Sequence, residues 1–126
     1  MAVYTTGLIT NTRTFGTAAS DVVVNSHNLG AVDVTVIVEV FGASPSSPAL
    51  TPLYIIGFDL PAGMEDTRSF FIAGNLTYEV QISNTSSVFN EVIHSTFGVN
   101  EFLNLTHEQR VLHTELVPIA ALTVPV

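Results

Sequence analysis

Apolar and polar residues alternate strictly through the segment AVDVTVIVEVF, residues 31–41. A period of two places successive side chains on opposite faces of a β-strand. One face carries Val32, Val34, Val36, Val38 and Val40, and the other carries Asp33, Thr35, Ile37, Glu39 and Phe41. Asp33 and Glu39 indicate that the second face contacts water, so we predict that the valine face points into a core.

Three further segments alternate in the same way: NLTYEVQIS (75–83), EVIHSTFGV (91–99) and RVLHTELVPI (110–119). Weaker strand signals lie at residues 20–30 and 67–74, and the continuous apolar run PLYIIGFDLP (52–61) is typical of a strand buried on both faces. NEFLNLTHEQ (100–109) is different, because Thr106 and Gln109 are spaced as in a helix capping box. We expect a loop or a single helical turn there.

Segments rich in Gly, Pro, Asn and Ser separate these runs, and such residues favour turns. Seven or eight short strands at roughly 8–12-residue spacing predict an all-β, single-domain β-sandwich. We expect the jelly-roll type, with about eight strands and an extended N-terminal arm. An immunoglobulin-like sandwich is the alternative, although the sequence has no Cys–Trp–Cys pattern. The expected division is an arm and spacer at residues 1–15 and the sandwich at residues 16–126.

The chain starts MAVYTTGLITNTRTFG, which lacks the positive charges and the apolar block of a secretory signal peptide. Its first residues are β-formers, followed by a polar stretch in which Gly7 and Gly16 favour flexibility. Two interpretations remain open: the arm forms the first strand of its own sandwich, or it adds to a sheet edge of a neighbouring copy. The residues expected to carry the contact are Ala2, Val3, Tyr4, Thr5, Thr6, Gly7, Leu8 and Ile9.

The composition favours self-association. Only 11% of the residues are charged, and eleven acidic residues face three arginines and no lysine, for a net charge of −8. This balance argues against nucleic acid and against anionic membranes as partners. A surface made of Thr, Ser and Asn rather than mixed charges is easily buried against a copy of itself. We expect Arg13, Ile37 and Phe41 to contribute to such contacts, with Arg13 paired to a carboxylate between subunits.

No catalytic or metal-binding motif is evident. The chain has no cysteine, and no two of its four histidines have the spacing of a helical metal pair. His94 and His113 both lie in alternating runs and can meet across strands, but two histidines do not define a zinc site. A calcium site built from Asp33, Asp59 or Asp66 is conceivable in sandwich loops. We expect no enzymatic activity and no cofactor.

Four segments carry a resemblance to known proteins: LITNTRTF, VTVIVEVFG, YEVQISNTSS and EQRVLHTELVPI. They resemble small β-proteins of spore-forming bacilli that are associated with the exosporium or with endospore appendages, the pili on spores. The resemblance implies a jelly-roll subunit that polymerises through N-terminal segments docking into neighbours. The best-known appendage subunits cross-link through cysteines in that segment, so this chain is similar to a cysteine-free type.

Together these features predict a structural subunit whose partner is itself, with an anchoring or tip protein as a further partner. Such a protein is made in the cytoplasm and ends on the spore or cell surface. The alternatives are a ligand- or carbohydrate-binding β-sandwich module and a phage capsid or appendage protein.

Overall fold

The structure, a computed structural model, describes residues 1–126 and contains ten β-strands and one turn of 3₁₀ helix, His113–Glu115. The strands are β1 (Ala2–Thr5), β2 (Ile9–Thr10), β3 (Asp21–Asn28), β4 (Val34–Ala43), β5 (Thr51–Leu60), β6 (Glu65–Phe71), β7 (Thr77–Asn84), β8 (Val92–Val99), β9 (Leu105–Val111) and β10 (Val117–Pro118). None of its helical residues forms a segment with the length and hydrophobicity needed to cross a bilayer.

The strands form two antiparallel sheets. One sheet has six strands in the order β10-β1-β7-β4-β5, with β2 also paired to β7, and the other has the order β6-β3-β8-β9. Eight of the ten strands have four or more residues, and β2 and β10 have two each. The prediction of an all-β, single-domain β-sandwich is therefore confirmed.

The core lies between the sheets and follows the period of two. Val34, Val36, Val38 and Val40 of β4 are buried beside Tyr78, Val80 and Ile82 of β7, and the second sheet contributes Val22, Val24, Phe70 and Val92. The register aligns Val38 with Ile82, so the apolar faces of neighbouring strands coincide. The predicted valine face is confirmed, except that Val32 precedes β4 and is exposed.

The structure corrects the sequence analysis at three places. The outer face of β4 is exposed at Thr35, as expected of a face in partial contact with water, but Glu39 and Phe41 on this face are buried. The run 52–61 is not buried on both faces, since β5 is the edge of its sheet and exposes residues such as Ile55. The segment 100–109 forms a turn and then strand β9 rather than a helical turn, and Gln109 points into the interior.

Candidate functional site

The N-terminal arm pairs with the outer edge of β7 in its own chain. Strand β1 runs antiparallel to β7, with Ala2 opposite Asn84, Val3 opposite Ser83, Tyr4 opposite Ile82 and Thr5 opposite Gln81. We call this edge of β7, Gln81–Asn84, the arm-binding site. Strand β10 covers the other edge of β1 through only two residue pairs. The arm thus completes the six-stranded sheet within one subunit.

Tyr4 and Val3, the two large residues of β1, point to opposite faces of the sheet because side chains alternate along a strand. Tyr4 lies opposite core residue Ile82 and is buried, with its ring centroid 5.1 Å from that of His113 and 6.1 Å from that of His94. Burial raises the pKa of the Tyr4 phenol above its usual value. Val3 points to the outer face and is also buried. Both residues are thus buried within one chain, and their role in a contact between copies stays a prediction.

A glycine turn separates β1 from the rest of the arm. Thr6 is held to β7, because its N–H donates to the Val80 carbonyl at 2.9 Å and its hydroxyl accepts the Val80 N–H at 3.0 Å. Gly7 follows with φ of +71°, and no atom lies within 4 Å of the position a Cβ would occupy. Leu8 is exposed, and Ile9 pairs with Tyr78 in β2. Gly7 therefore adopts the left-handed conformation that favours glycine and separates the two paired parts of the arm.

The arm is fixed to the domain directly after β2, at Asn11. The Asn11 side chain is fully buried and satisfies all four of its hydrogen-bonding positions. Its amide nitrogen donates to the carbonyls of Ala19 and Asn75, and its oxygen accepts from the Ala19 N–H and from Gln109 Nε2. The segment 11–17 is thus anchored at its start, and Asn11 marks the point at which the arm joins the domain.

Arg13 has its carboxylate partner within the subunit. Its Nη2 lies 2.8 Å from Glu101 Oε1, and its Nε donates to the Phe15 carbonyl at 2.6 Å. The hydrogen bond from Arg13 holds the pKa of the Glu101 carboxyl below its usual value. Both side chains are 41% exposed, so the pair is a surface ion pair. An intersubunit partner for Arg13 stays a prediction.

The last eight residues cross the outer face of the six-stranded sheet, and we call 119–126 the C-terminal segment. Its backbone N–H groups donate at Ile119 to the Val3 carbonyl (2.9 Å), at Thr123 to Gln81 Oε1 (2.8 Å) and at Val124 to Glu39 Oε1 (3.2 Å). This cover explains why Glu39 is buried. Its Oε2 has no hydrogen-bond partner.

The C-terminal segment also borders an apolar groove beside the arm. The groove has a volume of about 250 Å³ and is lined by Met1, Val3, Ala120, Ala121, Leu122, Pro125 and Val126. Ile37 lies next to Ser83 on the same outer face and is half-buried, whereas Phe41 is buried within the subunit. Of the two outer-face residues expected at an assembly surface, only Ile37 remains partly accessible.

The two histidines that can meet across strands do so beneath the arm. The backbone N–H of His94 donates to His113 Nδ1 at 3.0 Å, and His113 Nε2 lies 3.0 Å from Asn90 Oδ1. The Nε2 of His94 accepts from the Asn84 amide, whose oxygen is occupied by the Ser86 N–H. The proton of His94 is therefore on Nδ1, which donates to Ser26 Oγ at 2.8 Å.

This arrangement holds both imidazoles neutral. Burial lowers the pKa of His94 to about 3, and the neighbouring His113 adds to the shift. Burial also lowers the pKa of His113. Ser26 and His94 are both buried, so this Ser–His pair has no access for a substrate. No group of three or more His, Asp or Glu side chains is arranged to hold a metal ion.

Sequence reasoning marked Val3 and Tyr4 as β-formers of the arm but missed the polar residues that surround its base. Nothing local identified Asn11, Gln109 or Glu39 as buried polar residues. Their partners are distant in sequence, as with Asn11 and Gln109. No protein-family model, curated protein or solved structure matches the chain.

Proposed function

We propose that the protein is a structural subunit that assembles into a fibre by exchanging strand β1 between copies. The observation that carries the proposal is the arm itself. A four-residue strand buries Val3 and Tyr4 on the edge of β7 and is joined to the domain through the open Gly7 turn. Rotation about this turn releases β1 without disturbing Asn11.

Exchange costs little free energy, because the arm of a second copy makes the same contacts with β7 as the subunit's own arm. Its Ala2–Thr5 strand pairs with Gln81–Asn84 of the acceptor in the register seen within one chain. Domain swapping of this kind needs no new complementary surface. When each subunit gives its arm to the next and the rotation does not close, the product is an open filament rather than a ring.

The scarcity of cations and the exposed apolar side chains support a subunit whose surface is buried against other copies. The chain has three cations, of which Arg13 and Arg68 already pair with Glu101 and Asp66. Large apolar side chains remain exposed at both ends of the sandwich, for example Phe15 and Phe89. A location on the spore or cell surface, and an anchoring or tip protein, belong to the same proposal and rest on the sequence resemblance.

Deletion of Met1–Thr6 tests the proposal, since it removes β1 and leaves Asn11 in place. We expect the full chain to form uniform fibres in negative-stain microscopy and the deleted chain to remain folded by circular dichroism but not to polymerise. A synthetic peptide spanning Met1–Thr6 should raise the thermal midpoint of the deleted chain without restoring fibres. Thr12→Ala is the matched control, because Thr12 is exposed just after the arm and its substitution should leave fibres unchanged.

Two results contradict the proposal. Fibres from the deleted chain would show that the arm is dispensable. Single particles from the full chain at every concentration tested would favour the ligand-binding module instead.

A further inference from the structure

Strand β8 is flanked by two turns that carry exposed apolar pairs. The turn before β8 presents Val88 and Phe89, which we call the head tip, and the turn after it presents Phe102 and Leu103, which we call the tail tip. Phe89 and Leu103 are each 84% exposed and Phe102 is 74% exposed. The eight residues of β8 separate the tips by about 26 Å, the length of the sandwich.

The tail tip is held rigidly in an unfavourable conformation. Leu103 has φ of +65°, the left-handed region that a leucine rarely adopts. The turn is fixed by Asn100, whose Oδ1 accepts the N–H groups of Phe102 (2.9 Å) and Asn104 (3.0 Å). Asn or Gly would occupy position 103 with less strain. The fold thus tolerates a strained leucine whose side chain contacts solvent, and stability of the subunit does not account for it.

The head tip is built in a related way at the opposite end. Asn90 follows Phe89 with φ of +58°, and its side chain is held by His113. The hydroxyl of Ser86 accepts the Val88 N–H and donates to the Val88 carbonyl, both at 3.2 Å. Each end of the sandwich therefore presents an apolar pair on an ordered turn.

The loops at the two ends also differ in charge. The head-end loops, residues 29–33, 61–64, 85–91 and 112–116, contain Asp33, Glu91 and Glu115 and no Arg or Lys. The tail-end loops, residues 11–20, 44–50, 72–76 and 100–104, contain Arg13 and Glu101, which pair with each other. The head end is thus acidic and the tail end carries a balanced ion pair, whose cation would face carboxylates if the tail of one copy met the head of another.

We infer that the tail tip of one copy docks on the head tip of a second copy, so that subunits stack end to end along β8. The occupant of each tip is this same chain, because one copy supplies both an acidic apolar end and an apolar end with a cation. A contact between unlike ends is heterologous and repeats without closing. The inference deepens the proposed function and rests on it for the premise that copies associate, but it uses the ends of the sandwich rather than the arm-binding site.

Two tip variants and one control test the inference in the full-length protein. The tail variant is Phe102→Ser with Leu103→Asn, the head variant is Val88→Ser with Phe89→Ser, and the control is Ile55→Ser, which removes an exposed apolar residue in mid-strand of β5. The readouts are the critical concentration for sedimentable fibres and the mass of the soluble species by analytical ultracentrifugation.

We expect each tip variant to raise the critical concentration about tenfold or more, because buried apolar area is lost, and the control to leave it unchanged. The single variant Leu103→Asn should raise the thermal midpoint of the subunit while weakening association, since it relieves the left-handed strain. A 1:1 mixture of the head and tail variants should yield dimers, because one intact head then meets one intact tail.

Other outcomes overturn the inference and separate it from the proposed function. If both tip variants form fibres at the wild-type critical concentration while deletion of Met1–Thr6 abolishes them, the arm exchange stands and the end-to-end contact is wrong. If each tip variant forms dimers by itself and mixing the two adds no further dimer, the contact joins like ends and is not head-to-tail. If the wild-type chain never associates, both proposals fail.

Discussion

Gln109 and Asn11 are 98 residues apart in sequence, yet Gln109 Nε2 donates a 2.8 Å hydrogen bond to Asn11 Oδ1 in the interior. The other end of the Gln109 amide, its Oε1, accepts from the Tyr78 hydroxyl at 2.6 Å. This chain of contacts links the base of the arm in one sheet to β9 in the other. It fixes the chain at Asn11. The residues before Asn11 are held by β7, β10 and the C-terminal segment, by the contacts of Tyr4 with His94 and His113, and by the bond from Gln109 to the Thr10 carbonyl.

Substitution of Asn11 should therefore destabilise the whole domain. Asn11→Ala leaves the Ala19 N–H and the Asn75 carbonyl without hydrogen-bond partners in the interior, and each unsatisfied group costs about 1–3 kcal/mol. Gln109 loses one bond but keeps those to the Thr10 carbonyl and the Tyr78 hydroxyl. We expect a loss of about 2–4 kcal/mol in the free energy of unfolding, measured by urea denaturation. Thr12→Ala is the control, and its exposed side chain should matter little. Equal melts for Asn11→Ala and wild type would mean that the arm is not fixed at this residue.

Stability should fall in acid through His94. The pKa of this imidazole is about 3 in the folded chain and near 6.5 when solvated, so the unfolded state binds more protons between these values. The stability that depends on a neutral His94 is fully present above pH 6.5 and is lost as the pH falls toward 3. The free energy of unfolding should fall by up to about 1.4 kcal/mol per pH unit in this range. Denaturation at a series of pH values from 7 to 4 measures this slope.

His94→Gln separates this effect from the titration of carboxylates. Glutamine offers a donor for Ser26 and an acceptor for Asn84 without an ionisable group. The variant should keep the acid sensitivity of the carboxylates and of His113 but lose the His94 part of the slope. Identical slopes for the variant and wild type between pH 6 and 4 would exclude His94 as the cause.

The sequence predicted the sandwich well, because alternation reports directly on which side chains face a core. Val36 and Val38 were placed correctly for this reason. The same logic failed at Glu39, because the cover over the outer face comes from residues near 124, and no local pattern reveals a contact across 85 residues. The pattern was also misleading at β5, because a continuous apolar run occurs both in a central strand and in an edge strand that has few charged residues. Whether the arm stays on its own β7 or exchanges is not encoded in periodicity, because both states use the same contacts.

Glu39 should help to hold the C-terminal segment. Its carboxyl group is buried, with one oxygen bound to the Val124 N–H. Glu39→Ala leaves this N–H without its partner and removes packing on the outer face, so we expect the free energy of unfolding to fall by about 1–3 kcal/mol in urea denaturation. Thr35→Ala is the control on the same face, because the Thr35 side chain is exposed. Equal free energies of unfolding for Glu39→Ala and wild type would show that Glu39 does not hold the segment.

Neighbouring residues on β4 should respond differently to a charge. Val36 is fully buried between the sheets, whereas Ile37 is half-buried on the outer face. Val36→Asp should cost several kcal/mol out of the ~5–15 kcal/mol typical of a domain and unfold it. Ile37→Asp should leave the fold intact and weaken polymerisation. Thermal melts and fibre yield measured side by side check the pair, and equal unfolding by both variants contradicts the assignment of an outer face.

The exchange of β1 is tested most directly by a disulfide trap, because the chain contains no cysteine of its own. Val3 and Ser83 lie directly opposite each other in β1 and β7, within the range that a cross-strand disulfide can bridge. The double variant Val3→Cys with Ser83→Cys is assembled under reducing conditions, oxidised as fibres and run on a non-reducing denaturing gel, with Val3→Cys alone as the control. Exchange between subunits predicts a ladder of covalent multimers from the double variant and nothing larger than a dimer from the control. Fibres whose oxidised double variant runs only as a monomer would show that each arm remains on its own subunit, which contradicts the account.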